Sequence, residues 1–113
     1  MSRELLPNRR RSELRAITYQ GRPFVLGVSH YADGRPGEVF VDGKKEGSDE
    51  QQTLDDACVI ISLALQHGVS RERIANSLGK VPAFENGREV EAPASVLGLI
   101  VDCLDSRSLD DGA

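Results

Sequence analysis

Between Leu14 and Asp42 apolar and polar residues alternate with period two. Arg15, Ile17 and Tyr19 share one face of a first strand, and Leu14, Ala16 and Thr18 share the other. Beyond a turn at Gln20-Gly21-Arg22-Pro23, Phe24, Leu26 and Val28 line one face of a second strand, opposite Val25, Gly27 and Ser29. Asp33-Gly34-Arg35-Pro36-Gly37 is a dense turn signal, because Gly supplies positive φ and Pro fixes its own. Glu38-Val39-Phe40-Val41-Asp42 is then a third short strand. Three β-rich runs joined by short turns predict an antiparallel meander, and a sheet this small needs a cover on one face.

The period then changes. Ser48-Asp49-Glu50-Gln51 has the spacing of a capping box, with two acids in the first turn to complement the helix dipole. Leu54, Cys58, Ile61 and Leu65 form one helical stripe. Ala57, Val59, Ile60, Leu63 and Ala64 widen it until most of the circumference is apolar, which predicts a central, largely buried helix ended by Gly68. Ser70 caps a second helix with Ile74 and Leu78 on its dry side and Gly79 at its end. Residues 80–92 read as irregular, although Asn86-Gly87 between Phe84 and Val90 hints at a small hairpin or tight loop. Pro93 suits the first turn of a third helix carrying Val96, Leu97, Ile100, Val101 and Leu104, with Gly98 as a close-contact point. The segregated order β-β-β-α-α-α predicts an α+β fold, a three-stranded antiparallel meander followed by three helices on one face.

Composition narrows the function. The chain has 113 residues, 39% hydrophobic and 28% charged, one domain's worth. Fourteen Lys+Arg against 18 Asp+Glu give a net charge of −4, the wrong sign for a duplex nucleic-acid binder. The longest apolar run, 57–65, is broken only by Ser62 and falls far short of the ~20 residues of a membrane span. No apolar signal segment follows Met1, so the expected location is cytoplasmic. Charge divides the chain into a basic arm at 1–12, a domain at 13–105 and a disordered acidic tail at 106–113.

Little chemistry assembles in the sequence. Cys58 and Cys103 read as packing thiols, not as a disulfide, a redox pair or a zinc site. His30 and His67 lack a third ligand at metal spacing, and His67 sits where a histidine serves a helix C-terminus. The adjacent acids Asp55 and Asp56 point about 100° apart on a helix and form no dyad. No catalytic residue, metal or cofactor is expected. The most suggestive segment is the glycine-flanked turn 43–48, where Lys44, Lys45, Gly47 and Ser48 lead into a helix N-terminus fit for an anion or nucleotide. It lacks the Gly-Lys-Ser/Thr close of a Walker loop. Arg9, Arg10 and Arg11 form a second candidate for phosphate or an acidic surface.

Five stretches carry a resemblance: Leu6-Pro7-Asn8-Arg9-Arg10, Ile17-Thr18-Tyr19, residues 31–42 around Asp33-Gly34-Arg35-Pro36-Gly37-Glu38, Lys45-Glu46-Gly47, and residues 60–69 ending Gln66-His67-Gly68-Val69. Together they resemble the TSCPD domain family, the C-terminal part of adenosylcobalamin-dependent (class II) ribonucleotide reductases, over roughly residues 6–104. The literal Thr-Ser-Cys-Pro-Asp string is absent, Gln52-Thr53-Leu54-Asp55-Asp56-Ala57 being the nearest segment. The resemblance implies the fold and a link to ribonucleotide reduction, without the reductase barrel and its radical and cobalamin chemistry.

The leading expectation is a stand-alone, non-catalytic TSCPD-like domain serving assembly in deoxyribonucleotide synthesis. The alternatives are a small regulatory domain binding nucleotide or phosphate at turn 43–48, and a structural protein of a phage-like element. The expected partner is another protein or a second copy. Docking is expected through the partly apolar second face of the sheet or through the third helix around Gly98.

Overall fold

The computed structural model describes residues 2–8, 10–43 and 47–104. The chain runs β1 (Arg11–Tyr19), β2 (Arg22–His30), β3 (Pro36–Asp42), α1 (Asp49–Gln66), α2 (Arg71–Ser77), β4 (Lys80–Glu85), β5 (Arg88–Pro93) and α3 (Val96–Asp102). It is an α+β fold: β1-β2-β3 form an antiparallel sheet and β4-β5 a separate two-stranded one. The acidic tail assigned to 106–113 lies outside the described residues. No helix among the described residues is long and apolar enough to cross a membrane.

The meander follows the period-two reading. Gln20 and Gly21 take φ of +51° and +77°, so the first turn is a two-residue hairpin loop and Arg22-Pro23 already belong to β2. Phe24, Leu26 and Val28 of β2 lie between Ile17 of β1 and Val39 and Val41 of β3, all buried. Cys58, Ile61 and Leu65 of α1, Ala75 of α2 and Ile100 and Val101 of α3 complete this core. The starts of α1 and α2 and the end of α1 are as the sequence predicts. Ser48, Ser70 and Ser95 each accept from a backbone N–H three residues on, and Gly68, at φ +92°, ends α1 with Val69 N–H donating to Ala64 C=O.

Three expectations are corrected. Residues 80–93 are not irregular: Asn86 and Gly87, at φ +53° and +77°, close a regular hairpin. Pro93 is accordingly the last residue of β5, and Ser95, not Pro93, opens α3. The third correction concerns α1, which is not buried all round. Val59, Ile60 and Leu63 are 56%, 67% and 39% exposed, whereas the polar Gln51, Ser62 and Gln66 are buried.

The reason is that α1 lies along the free edge of β3 and binds its backbone. Gln51 Nε2 donates to Val41 C=O at 3.0 Å, Ser62 Oγ accepts from Val39 N–H at 3.0 Å, and Gln66 Nε2 donates to Gly37 C=O at 2.7 Å. These are the β3 groups that face away from β2. Without partners they would be buried donors and acceptors lost from water. Helix α1 thus does the work of a fourth strand with side chains.

Candidate functional site

The candidate anion-binding residues are described only in part. Lys44, Lys45 and Arg9 lie outside the described residues. Arg10 donates to Pro7 C=O and pairs with Glu38 at 3.4 Å, so it already has an acidic partner in its own chain. Arg11 begins β1 level with His30, whereas Asp42, which ends β3, is level with Val25 and Ala16. Five residues of β1 at ~3.4 Å each separate Arg11 from the level of Asp42 by about 17 Å along the strand direction.

At turn 43–48, Ser48 spends its hydroxyl on capping, accepting from Gln51 N–H at 3.1 Å. Asp49 and Glu50 occupy the first turn of α1, where carboxylates satisfy the helix dipole that an anion would use. Gly43 has a packing duty. A Cβ there would come 2.3 Å from the Phe24 ring and 2.9 Å from Pro23 C=O, so only glycine lets the chain turn under the buried ring. Gly98 is likewise committed inside the molecule: a Cβ on it would meet Pro93 Cβ at 3.0 Å.

The stretch 31–35 that helps carry the family resemblance is a tied turn. Tyr31 N–H donates to Arg35 C=O at 2.9 Å. The Arg35 backbone N–H, then its guanidinium at 2.7 Å, hold the Asp33 carboxyl below the ordinary carboxylate range. The guanidinium also lies 4.6 Å from the centre of the Tyr31 ring and grips both Glu4 oxygens at 3.0 and 3.1 Å. Tyr31 Oη donates to Glu4 C=O, and Glu4 N–H donates to Gln66 C=O. The motif therefore straps the N-terminal segment across the end of the sheet onto α1.

A groove of about 330 Å³ runs between β3 and α1, lined by Arg3, Glu38, Phe40, Asp55, Val59 and Leu63 among others. Cys58 borders it, but burial, with a smaller contribution from Asp55, raises its thiol from 9.0 to about 11. That difference makes its thiolate fraction near neutral pH about a hundredfold smaller than for an unshifted thiol. Burial raises the Cys103 thiol too, and both cysteines are free. Asp55 and Asp56 bind different partners, Gln51 and Gln52, and form no dyad. His67 Nδ1 lies 2.8 Å from Leu63 C=O at the end of α1. Among the described residues no three His, Cys, Asp or Glu gather as a metal site would require.

Sequence reasoning missed the buried His30. It is 1% exposed, its Nε2 lies 3.9 Å from Glu13, and its Nδ1 meets no partner among the described residues. Arg15 joins Glu13 at 3.3 Å and donates to Cys103 C=O at 3.0 Å, tying β1 to the end of α3. Burial pushes His30 below the ordinary 6.5, with Glu13 offsetting part of that. The unfolded chain therefore binds a proton at a pH where the fold still refuses it. Stability is complete above pH 6.5 and falls as pH drops from there towards the lower folded value, by at most about 1.4 kcal/mol per pH unit. Thermal melts from about pH 7.5 to about pH 5 will show this loss, and His30→Leu will flatten it. Parallel curves for the two proteins would assign the slope to other groups.

The fold is thus a helix-edged meander with a strapped N-terminal segment. The chain matches the TSCPD domain over residues 3–107 and belongs to that family. It is 40% identical over 70 residues to the vitamin B12-dependent ribonucleotide reductase of Agrobacterium fabrum, which covers 62% of this chain and 6% of that protein. It is 40% identical over 74 residues to the reductase of the same name from Rhodopirellula baltica, 66% of this chain and 7% of that one. The chain therefore spans less than a tenth of the length of these relatives. No solved structure matches. A corrinoid does not fit the β3–α1 groove, whose volume of about 330 Å³ lies at the small end of the roughly 300–1,000 Å³ that drug-sized ligands need, a corrinoid being much larger.

Proposed function

We propose that this TSCPD domain is a non-catalytic accessory module of ribonucleotide reduction that acts by binding a vitamin B12-dependent reductase. The observation that carries it is the likeness of about two-thirds of the chain to a small part of two such reductases. The chemistry of the described residues supports the same reading. Both thiols are held protonated by burial, and the buried polar side chains of α1 are committed to the β3 backbone.

The test uses the B12-dependent reductase of the same organism. The chain alone, given ribonucleotide, adenosylcobalamin and dithiol, will form no deoxyribonucleotide. Added to the reductase, it will bind saturably and change the rate of deoxyribonucleotide formation. Turnover by the chain alone, or neither binding nor a rate change, overturns the proposal. Calorimetry with ATP and inorganic phosphate separates the competing regulatory function. Binding heat that disappears in a Lys44→Ala, Lys45→Ala variant would make turn 43–48 the working site.

A further inference from the structure

The two edges of the main sheet are treated differently. On β3 the outward-facing groups of Gly37, Val39 and Val41 are bound by α1. Backbone direction alternates along each strand and passes through the pairing register to β1. The groups of β1 that face away from β2 therefore belong to Ser12, Leu14, Ala16 and Thr18. All four residues are exposed, and none of their backbone groups has a partner outside the sheet among the described residues. Of the usual guards of a free edge, β1 carries charged side chains, Arg11, Glu13 and Arg15, but over its nine residues it holds no proline and no bulge. In the hairpin, by contrast, β4 carries Pro82.

We propose that the β1 edge is the docking surface for a second copy of this chain, paired antiparallel to its own β1 about a two-fold axis at Leu14. Charge and the length of pairing select the register. With Leu14 opposite Leu14, Glu13 of each copy, paired with its own Arg15 at 3.3 Å, also faces Arg15 of the other in the non-hydrogen-bonded positions where side chains approach most closely. Sliding by one residue pair in either direction sets Arg15 against Arg15 or Glu13 against Glu13; the next slide sets Arg15 against Ile17 on one side, and on the other sets Glu13 against Arg11 but pairs only residues 11–13 of β1. In the chosen register Ser12 faces Ala16, so every outward backbone group from Ser12 to Ala16 gains a partner. The outer face of the sheet agrees. Leu14, 71% exposed, is level with Gly27 and Phe40 in one cross-strand row. The Phe40 ring lies over Gly27, where a Cβ would come 2.1 Å from the ring tip. Pairing at Leu14 joins two such rows into one apolar stripe across six strands.

Light scattering tests the mass, and cysteine substitution tests the register. The full chain at micromolar concentration is expected near twice 12.3 kDa. Leu14→Cys is expected to cross-link to itself under mild oxidant, because facing residues in a hydrogen-bonded pair have Cα atoms about 5.5 Å apart, within disulfide reach. Ala16→Cys alone will not cross-link, but mixed with Ser12→Cys it will. Glu13→Arg will weaken association about tenfold or more by turning two attractive pairs into repulsive ones, and adding Arg15→Glu will restore it. Leu14→Pro, at an edge position whose N–H is unused in the single chain, will give a folded monomer by circular dichroism. A mass near 12.3 kDa for the unaltered chain overturns the proposal. So does a dimer that survives Leu14→Pro, or one that cross-links at Ala16→Cys and not at Leu14→Cys.

Discussion

Leu26→Ala will destabilise the domain by about 3 kcal/mol, within the range of roughly 2–5 kcal/mol for truncating a buried leucine. Leu26 is fully buried on the central strand, level with Arg15 on one side and Val41 on the other. Both neighbours are fixed by backbone pairing, and the helices above are tied to the sheet through Gln51, Ser62, Gln66 and the Arg15–Cys103 bond. The site therefore has little freedom to collapse, and the lost methyl groups leave a cavity. At ~2.1 cal/mol/K per residue, a 113-residue chain unfolds with about 240 cal/mol/K, so the expected fall in Tm is about 13 °C. Leu26→Met keeps the volume and will cost less than about 1.5 kcal/mol. Equal melting points for Leu26→Ala and the unaltered chain would show that this is not the centre of the core.

The elements legible in the sequence are those whose signals are local. Gly21, Gly68 and Asn86-Gly87 stand where a positive φ is needed, and Ser48 and Ser70 stand where a helix needs a hydroxyl. Strand β5 was hidden because Arg88-Glu89-Val90-Glu91-Ala92-Pro93 has few residues that favour strands. It is held instead by tertiary bonds at the base of the hairpin, from Tyr19 Oη to Pro93 C=O and from Ala94 N–H to Gly79 C=O. The placement of the candidate anion-binding residues was hidden for a similar reason. Charge clusters Arg9 to Arg11 and Lys44-Lys45 alike, but only strand register reveals that Arg11 and Asp42 lie towards opposite ends of the sheet. The exposure of the two faces of α1 was also out of reach. Hydropathy ranks Ile60 above Ser62, and only the position of β3 reverses that order.

That reversal makes the sharpest mutational contrast in the molecule. Ser62 Oγ accepts from Val39 N–H at 3.0 Å and donates its single proton to Cys58 C=O at 2.8 Å. Ser62→Ala removes one oxygen and leaves the buried Val39 N–H without its acceptor. A buried donor so stranded costs about 1–3 kcal/mol. The better helix propensity of alanine returns only a few tenths of that. The expected loss is about 2 kcal/mol, or a Tm lower by about 8 °C on the same unfolding entropy. Ile60→Ala, two residues earlier on the same helix, removes more apolar surface from a side chain that is 67% exposed and will stay within about 0.5 kcal/mol. Denaturant melts of the two variants, side by side, decide the matter. A neutral Ser62→Ala would mean that the β3 edge needs no cap from α1. An Ile60→Ala loss that grows with protein concentration would instead show that the exposed face of α1 is covered in an assembly.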